Sequence, residues 1–98
     1  MIKMGLMDGR YCPMVYCDVC GNRIDDSSAA NVEWQEGPDL KPIRERLYFV
    51  HKECVAKLEG NPPGTDWRWQ PMDAFFYFLT HNVRWDKQRA EQSPAVQF

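Results

Sequence analysis

The feature that most restricts what this chain can fold into is a pair of pairs. Cys17 and Cys20 stand three residues apart in "YCDVCGNR", and His51 and Cys54 stand three apart in "VHKEC". Each pair has the spacing of a chelating arm. A Cys-x2-Cys turn aims two sulfurs at one point when a glycine follows and lets the chain reverse, and Gly21 follows Cys20. The second pair falls where an extended segment meets the first turn of a helix, and residues three apart there share a face. Three thiolates and one imidazole make a closed four-coordinate shell. Such a shell suits structural zinc and leaves no open position for catalysis.

Length makes that reinforcement useful. A chain of 98 residues forms one domain and buries only a modest share of its surface. Its 44% apolar and 27% charged residues are ordinary for a globular protein, while the aromatic share of 13% gives a small core bulk. A net charge of −2 argues against a chain that attracts nucleic acid with its whole surface. The opening "MIKMGLMDGR" has no apolar signal-peptide core, and "AFFYFL" at 74–79 is too short to span a bilayer. These features predict a soluble, cytoplasmic chain with no membrane partner, where cysteines serve metals or catalysis more than disulfides.

The local patterns predict an α+β protein. Residues 11–16 read as extended and lead into the cysteine turn. "AANVEWQE", 29–36, alternates Val32 and Trp34 against Asn31, Glu33 and Gln35, a strand pattern. "GPDLKPIRE", 37–45, reads as a long loop, and "RLYFVH", 46–51, as a second strand pairing antiparallel with the first. "KECVAKLEG", 52–60, reads as a short helix capped by Gly60, with Pro62 and Pro63 beyond it. The division is a zinc-binding module over 1–60, a linker over 61–70, an aromatic helix over 71–87 and a fraying tail over 88–98. Pro71 and Asp73 suit the start of the last helix.

A cysteine knuckle, then a β-hairpin, then a helix carrying the last ligands resembles the treble-clef zinc finger. "CDVCGNRI" and "VHKEC" are similar to the first zinc module of LIM domains, over residues 15–60. The resemblance implies that Cys17, Cys20, His51 and Cys54 hold Zn2+. The gap between the pairs is longer than in LIM modules and their second zinc module is absent, so architecture carries over and LIM function does not. A second metal reading competes. Cys12-x4-Cys17-x2-Cys20 with a distant Cys54 has the spacing of a plant-type iron–sulfur electron carrier. That reading leaves His51 idle and puts Pro13, Met14, Val15 and Tyr16 in a loop where such ferredoxins carry small residues. On the zinc reading Cys12 is a spare thiol. A redox role for Cys17 and Cys20 needs a helix starting at the first cysteine, which Gly21 and Asn22 break.

The sequence offers no nucleophile–base arrangement and no phosphate loop, so the expectation is a protein that is not an enzyme. His81 reads as a surface residue, and Asp25-Asp26 as a solvated turn. "KPIRER" places Lys41, Arg44 and Arg46 on the loop between the strands. They suit contact with nucleic-acid phosphates, or simply a solvated tip. On the last helix, Met72, Phe75, Phe76, Leu79 and Val83 make one core-facing stripe, and Tyr77 and Phe78 widen the apolar surface. Tyr77 and Phe78, with Trp85 nearby, form a candidate surface for a protein partner or a second copy in a homodimer. The alternative is that the Met-rich start of the chain folds over it.

Overall fold

The computed structural model describes residues 1–43, 45–60 and 66–96. Two strands, β1 (Ile2–Met7) and β2 (Arg10–Val15), form an antiparallel hairpin that is a sheet of its own. Its two-residue turn holds Asp8 and Gly9 at positive φ, as the twist of a tight hairpin requires. A second sheet has the order β4-β3-β5, built from β3 (Ala30–Glu36), β4 (Tyr48–His51) and β5 (Asp66–Pro71). Both of its pairings are antiparallel, with Val32 opposite Phe49 on one side and Gln70 on the other. Among the described residues three short helices complete the α+β fold: α1 (Val55–Glu59), α2 (Met72–Asn82) and α3 (Lys87–Glu91).

The order of knuckle, hairpin and helix expected over 15–60 is present. Residues 17–22 turn back on themselves, β3 and β4 pair, and a 3-10 turn over Lys52–Cys54 leads into α1. Gly60 ends α1 at φ 65° and ψ −169°, a conformation close to glycine-only, with its N–H donated to the Ala56 carbonyl.

Three expectations and one alternative need correction. Residues 66–70 are strand, not linker: Trp67 and Trp69 pair with Gln35 and Glu33, and Arg68 with Trp34. The rest of that linker, 61–65, lies outside the described residues. The last helix stops at Asn82, because Val83 is extended, and a separate turn of helix, α3, starts at Lys87 and runs into the segment read as fraying. The Met-rich start of the chain builds β1, with Met4, Leu6 and Met7 exposed, instead of covering the aromatic helix. The fourth concerns the helix stripe. Met72 and Phe75 are buried, but Phe76, Leu79 and Val83 are exposed. A three-stranded sheet is narrow, and α2 runs beyond what it can cover.

One continuous core joins α2, the sheet and the cysteines. It contains Cys17, Ile24, Ala30, Val32, Phe49, Val50, Cys54, Met72 and Phe75. Phe75 meets Phe49 edge to face at 5.4 Å between ring centroids. Ser27 donates to the carboxylate of Asp73, which fastens the start of α2 to the segment before β3. Burying an aromatic ring of this kind contributes about 1.5–3 kcal/mol, so Phe75 is the main anchor of α2. Phe75→Ala should therefore lower the unfolding free energy by about 3 kcal/mol, while Tyr77→Ala changes it by about 0.5 kcal/mol or less. Urea titration of both variants checks this, and equal losses would contradict the assigned helix face.

Candidate metal centre

The site begins with a hydrogen-bond exchange between the knuckle and β4. The Asp18 backbone N–H donates to the Phe49 carbonyl at 2.7 Å, and the Phe49 N–H donates to Asp18 Oδ2 at 2.8 Å. The Asp18 side chain is almost fully enclosed and also lies 3.7 Å from the Arg46 guanidinium. Docked in this way, the knuckle places Cys17 and Cys20 beside His51, the last residue of β4. Within the knuckle the Gly21 N–H donates to the Cys17 carbonyl at 3.0 Å. Gly21 sits at φ 76°, the left-handed region that glycine adopts without strain. The Cys17 N–H donates to the Asn22 carbonyl at 2.9 Å, which closes the turn. Cys54 comes in from the 3-10 turn that precedes α1.

The four donor atoms of Cys17, Cys20, His51 and Cys54 all lie within 4.8 Å of one another. Cys20 Sγ and His51 Nδ1 are 3.4 Å apart. A tetrahedral ion with metal–sulfur bonds of about 2.3 Å spaces its ligand atoms roughly 3.5–3.8 Å apart. The group therefore fits a four-coordinate ion, with His51 presenting Nδ1. Cys17 and Cys54 are buried, and Cys20 is exposed at the rim.

Electrostatics already favour a thiolate. Burial pushes the Cys17 thiol up, but the backbone N–H groups of Cys20, His51 and Val19 and the His51 ring outweigh it, and its pKa falls to about 6. The N–H groups of Val19 and His51 both point to Cys17 Sγ at 3.4 Å. Cys54 moves the other way, to about 11, through burial and the neighbouring sulfurs of Cys17 and Cys20. Without an ion Cys54 keeps its proton and shares it with those sulfurs. An ion entering the shell displaces that proton, so binding is coupled to pH.

Cys12 stands outside the group, on β2 across from Gly5. The iron–sulfur spacing that begins at Cys12 is thus not the set of residues brought together; His51 completes it instead. The other sequence candidates are dispersed. Lys41 is exposed in the turn after β3, Arg44 lies outside the described residues, and Arg46 stacks over the Tyr48 ring at 4.4 Å. Tyr77 and Phe78 are exposed, 64% and 52%, with their rings 5.6 Å apart, and Tyr77 stacks on His81. Trp85 is exposed beyond the end of α2, and among the described residues no ring contact joins it to them.

Sequence reasoning missed Asp18, whose only signal was its place inside the Cys-x2-Cys turn. It also missed Glu33, set by the strand alternation apart from Val32 and Trp34 and found fully buried. Among the described residues no helix is long and apolar enough to cross a membrane. No family model matches the chain, and neither a curated protein nor a solved structure matches it.

The division of the cysteines is open to a direct check. Cys54→Ser should abolish stoichiometric metal binding, while Cys12→Ser should leave one ion per chain. Native mass spectrometry reads both, and loss of the ion from the Cys12 variant would place that thiol in the shell.

Proposed function

We propose that the chain is a structural zinc module, treble-clef-like in its order of knuckle, hairpin and helix, that serves as a protein-interaction or adaptor module. Three thiols and an imidazole favour Zn2+ over hard cations, which take oxygen ligands. With all four positions filled by protein, zinc has a cross-linking role and no open site for substrate, so the module is not an enzyme. Binding of such an ion contributes about 10–16 kcal/mol in small zinc peptides, enough to decide whether a chain of this size folds. A strong chelator should therefore unfold residues 15–60, seen as loss of the far-UV dichroism of the sheet. Full retention of that signal in zinc-free protein would contradict the structural role.

The observation that carries the interaction reading is the uncovered side of α2. Phe76, Tyr77, Phe78, Leu79 and Val83 are all exposed along its eleven residues and the residue that follows. Beside them is a groove of about 460 Å³ between α2 and the loop before β4, lined by Trp34, Pro42, Leu47, Phe75, Phe78 and Leu79 among others. Contiguous apolar surface of this kind marks a contact site in a small protein. The occupant is a polypeptide, either a second copy or another chain. Phe78→Glu should abolish association, read by sedimentation velocity, and keep the native melting temperature. A wild-type protein that stays monomeric, with a Phe78→Glu variant that melts well below it, would show the face serving the fold of one chain.

A further inference from the structure

The sheet has a second face, away from α2. On it lie Asn31 and Glu33 of β3, Tyr48 and Val50 of β4, and Trp69 and Pro71 of β5. A cavity of about 520 Å³ opens against this face, lined by Asn31, Lys52, Val55, Glu59, Trp69 and Pro71. Among the described residues three enclosed oxygens on this face meet no hydrogen-bond donor: Asn31 Oδ1, on the cavity wall, and both carboxylate oxygens of Glu33, which is fully buried and not part of the lining. Asn31 is 8% exposed and Glu33 0%. Buried acceptors left without donors are costly and uncommon, so each one calls for a partner. Glu33 lies within reach of Glu59. Burial first, then the Glu59 carboxylate, raises its pKa to about 8. Near neutral pH Glu33 therefore keeps its proton, and Asn31 Oδ1 is still without a donor among the described residues.

We propose that this cavity receives a primary alkylammonium, the unmodified side chain of a lysine on a partner polypeptide. The head group has three N–H donors and a compact positive charge. Asn31 and Glu59 on the cavity wall offer it acceptors from a strand and a helix, and the buried Glu33 carboxyl adjoins Glu59. A guanidinium is a flat fork that suits one carboxylate bidentately, and it matches acceptors spread over two elements less well. A hard metal ion wants six or more oxygens. The methylene stem packs along Val55, Pro71 and the face of Trp69, which is 58% exposed and free to serve as a platform. Lys52 also lines the cavity, but among the described residues no ion pair joins it to either acid. Tyr48 on this face carries Arg46 stacked on its ring, and Glu53 and Lys57 belong to the 3-10 turn and the helix α1 that border the cavity. The site lies on the opposite side of the sheet from the aromatic face of α2 and does not depend on it.

Calorimetric titration of the zinc-loaded full chain with Nα-acetyl-lysine methylamide tests the proposal. Saturable binding is expected, weakened at least tenfold by Glu33→Gln and by Glu59→Gln and lost when the amine is acetylated. An ammonium binds the ionised form of Glu33, so association releases a proton. Affinity then rises with pH, by at most tenfold per unit, up to about pH 8 and levels off above it. Glu33→Gln flattens this profile. Absence of saturable binding, a flat wild-type profile, or unchanged affinity in folded Glu59→Gln protein overturns the site. Free 1,5-diaminopentane identifies the source. Binding no tighter than the lysine amide supports a partner's lysine, and binding tenfold tighter overturns it in favour of a free diamine.

Discussion

The rest of the structure depends on the meeting of the 17–22 turn with β4. Two hydrogen bonds between Asp18 and Phe49 hold the turn against the strand, and the metal ligands converge because of it. The same register sets Phe49 opposite Val32 and beneath Phe75, so the docking that gathers the sulfurs also defines the floor on which α2 sits. Ligand shell and hydrophobic core are continuous, since Cys17 and Cys54 belong to both. In a chain with so little interior, loosening either would be felt by the other.

Much of this was legible in the sequence, and the reasons are local. Two short spacings identified the ligand set, because a chelate is a statement about residues three apart. The alternation in 29–36 and the aromatic run before His51 identified two paired strands, and Gly60 marked the end of α1. What failed was non-local. Trp67, Arg68 and Trp69 alternate, but a strand of that length after a proline-rich stretch reads as a connection until a partner is known, and that partner is β3. The stripe on α2 was correct in period, and its burial was overestimated, because period does not tell how wide a sheet lies underneath.

Glu33 is the sharpest case. In a strand pattern a polar residue is assigned to solvent on the assumption that one face is wet. Here β3 is central, with α2 on one side and α1 with the tryptophans of β5 on the other, so both faces are enclosed. No property of residues 30–36 alone announces this. The signal lies in the combination of a later Trp-x-Trp and a short helix bearing Glu59, and only the fold brings them together.

Among the described residues the order β4-β3-β5 leaves the outer side of β5 without a neighbouring strand in its sheet. Such an open margin is a template on which another chain can add itself and begin to aggregate. This one carries its own deterrents. Asp66 stands at its start, Arg68 is held to Glu36 in its middle, and Pro71, which lacks an N–H, closes it. A chain whose apolar helix invites company thus keeps the ladder of its sheet guarded, so that association is steered to side chains and away from backbone.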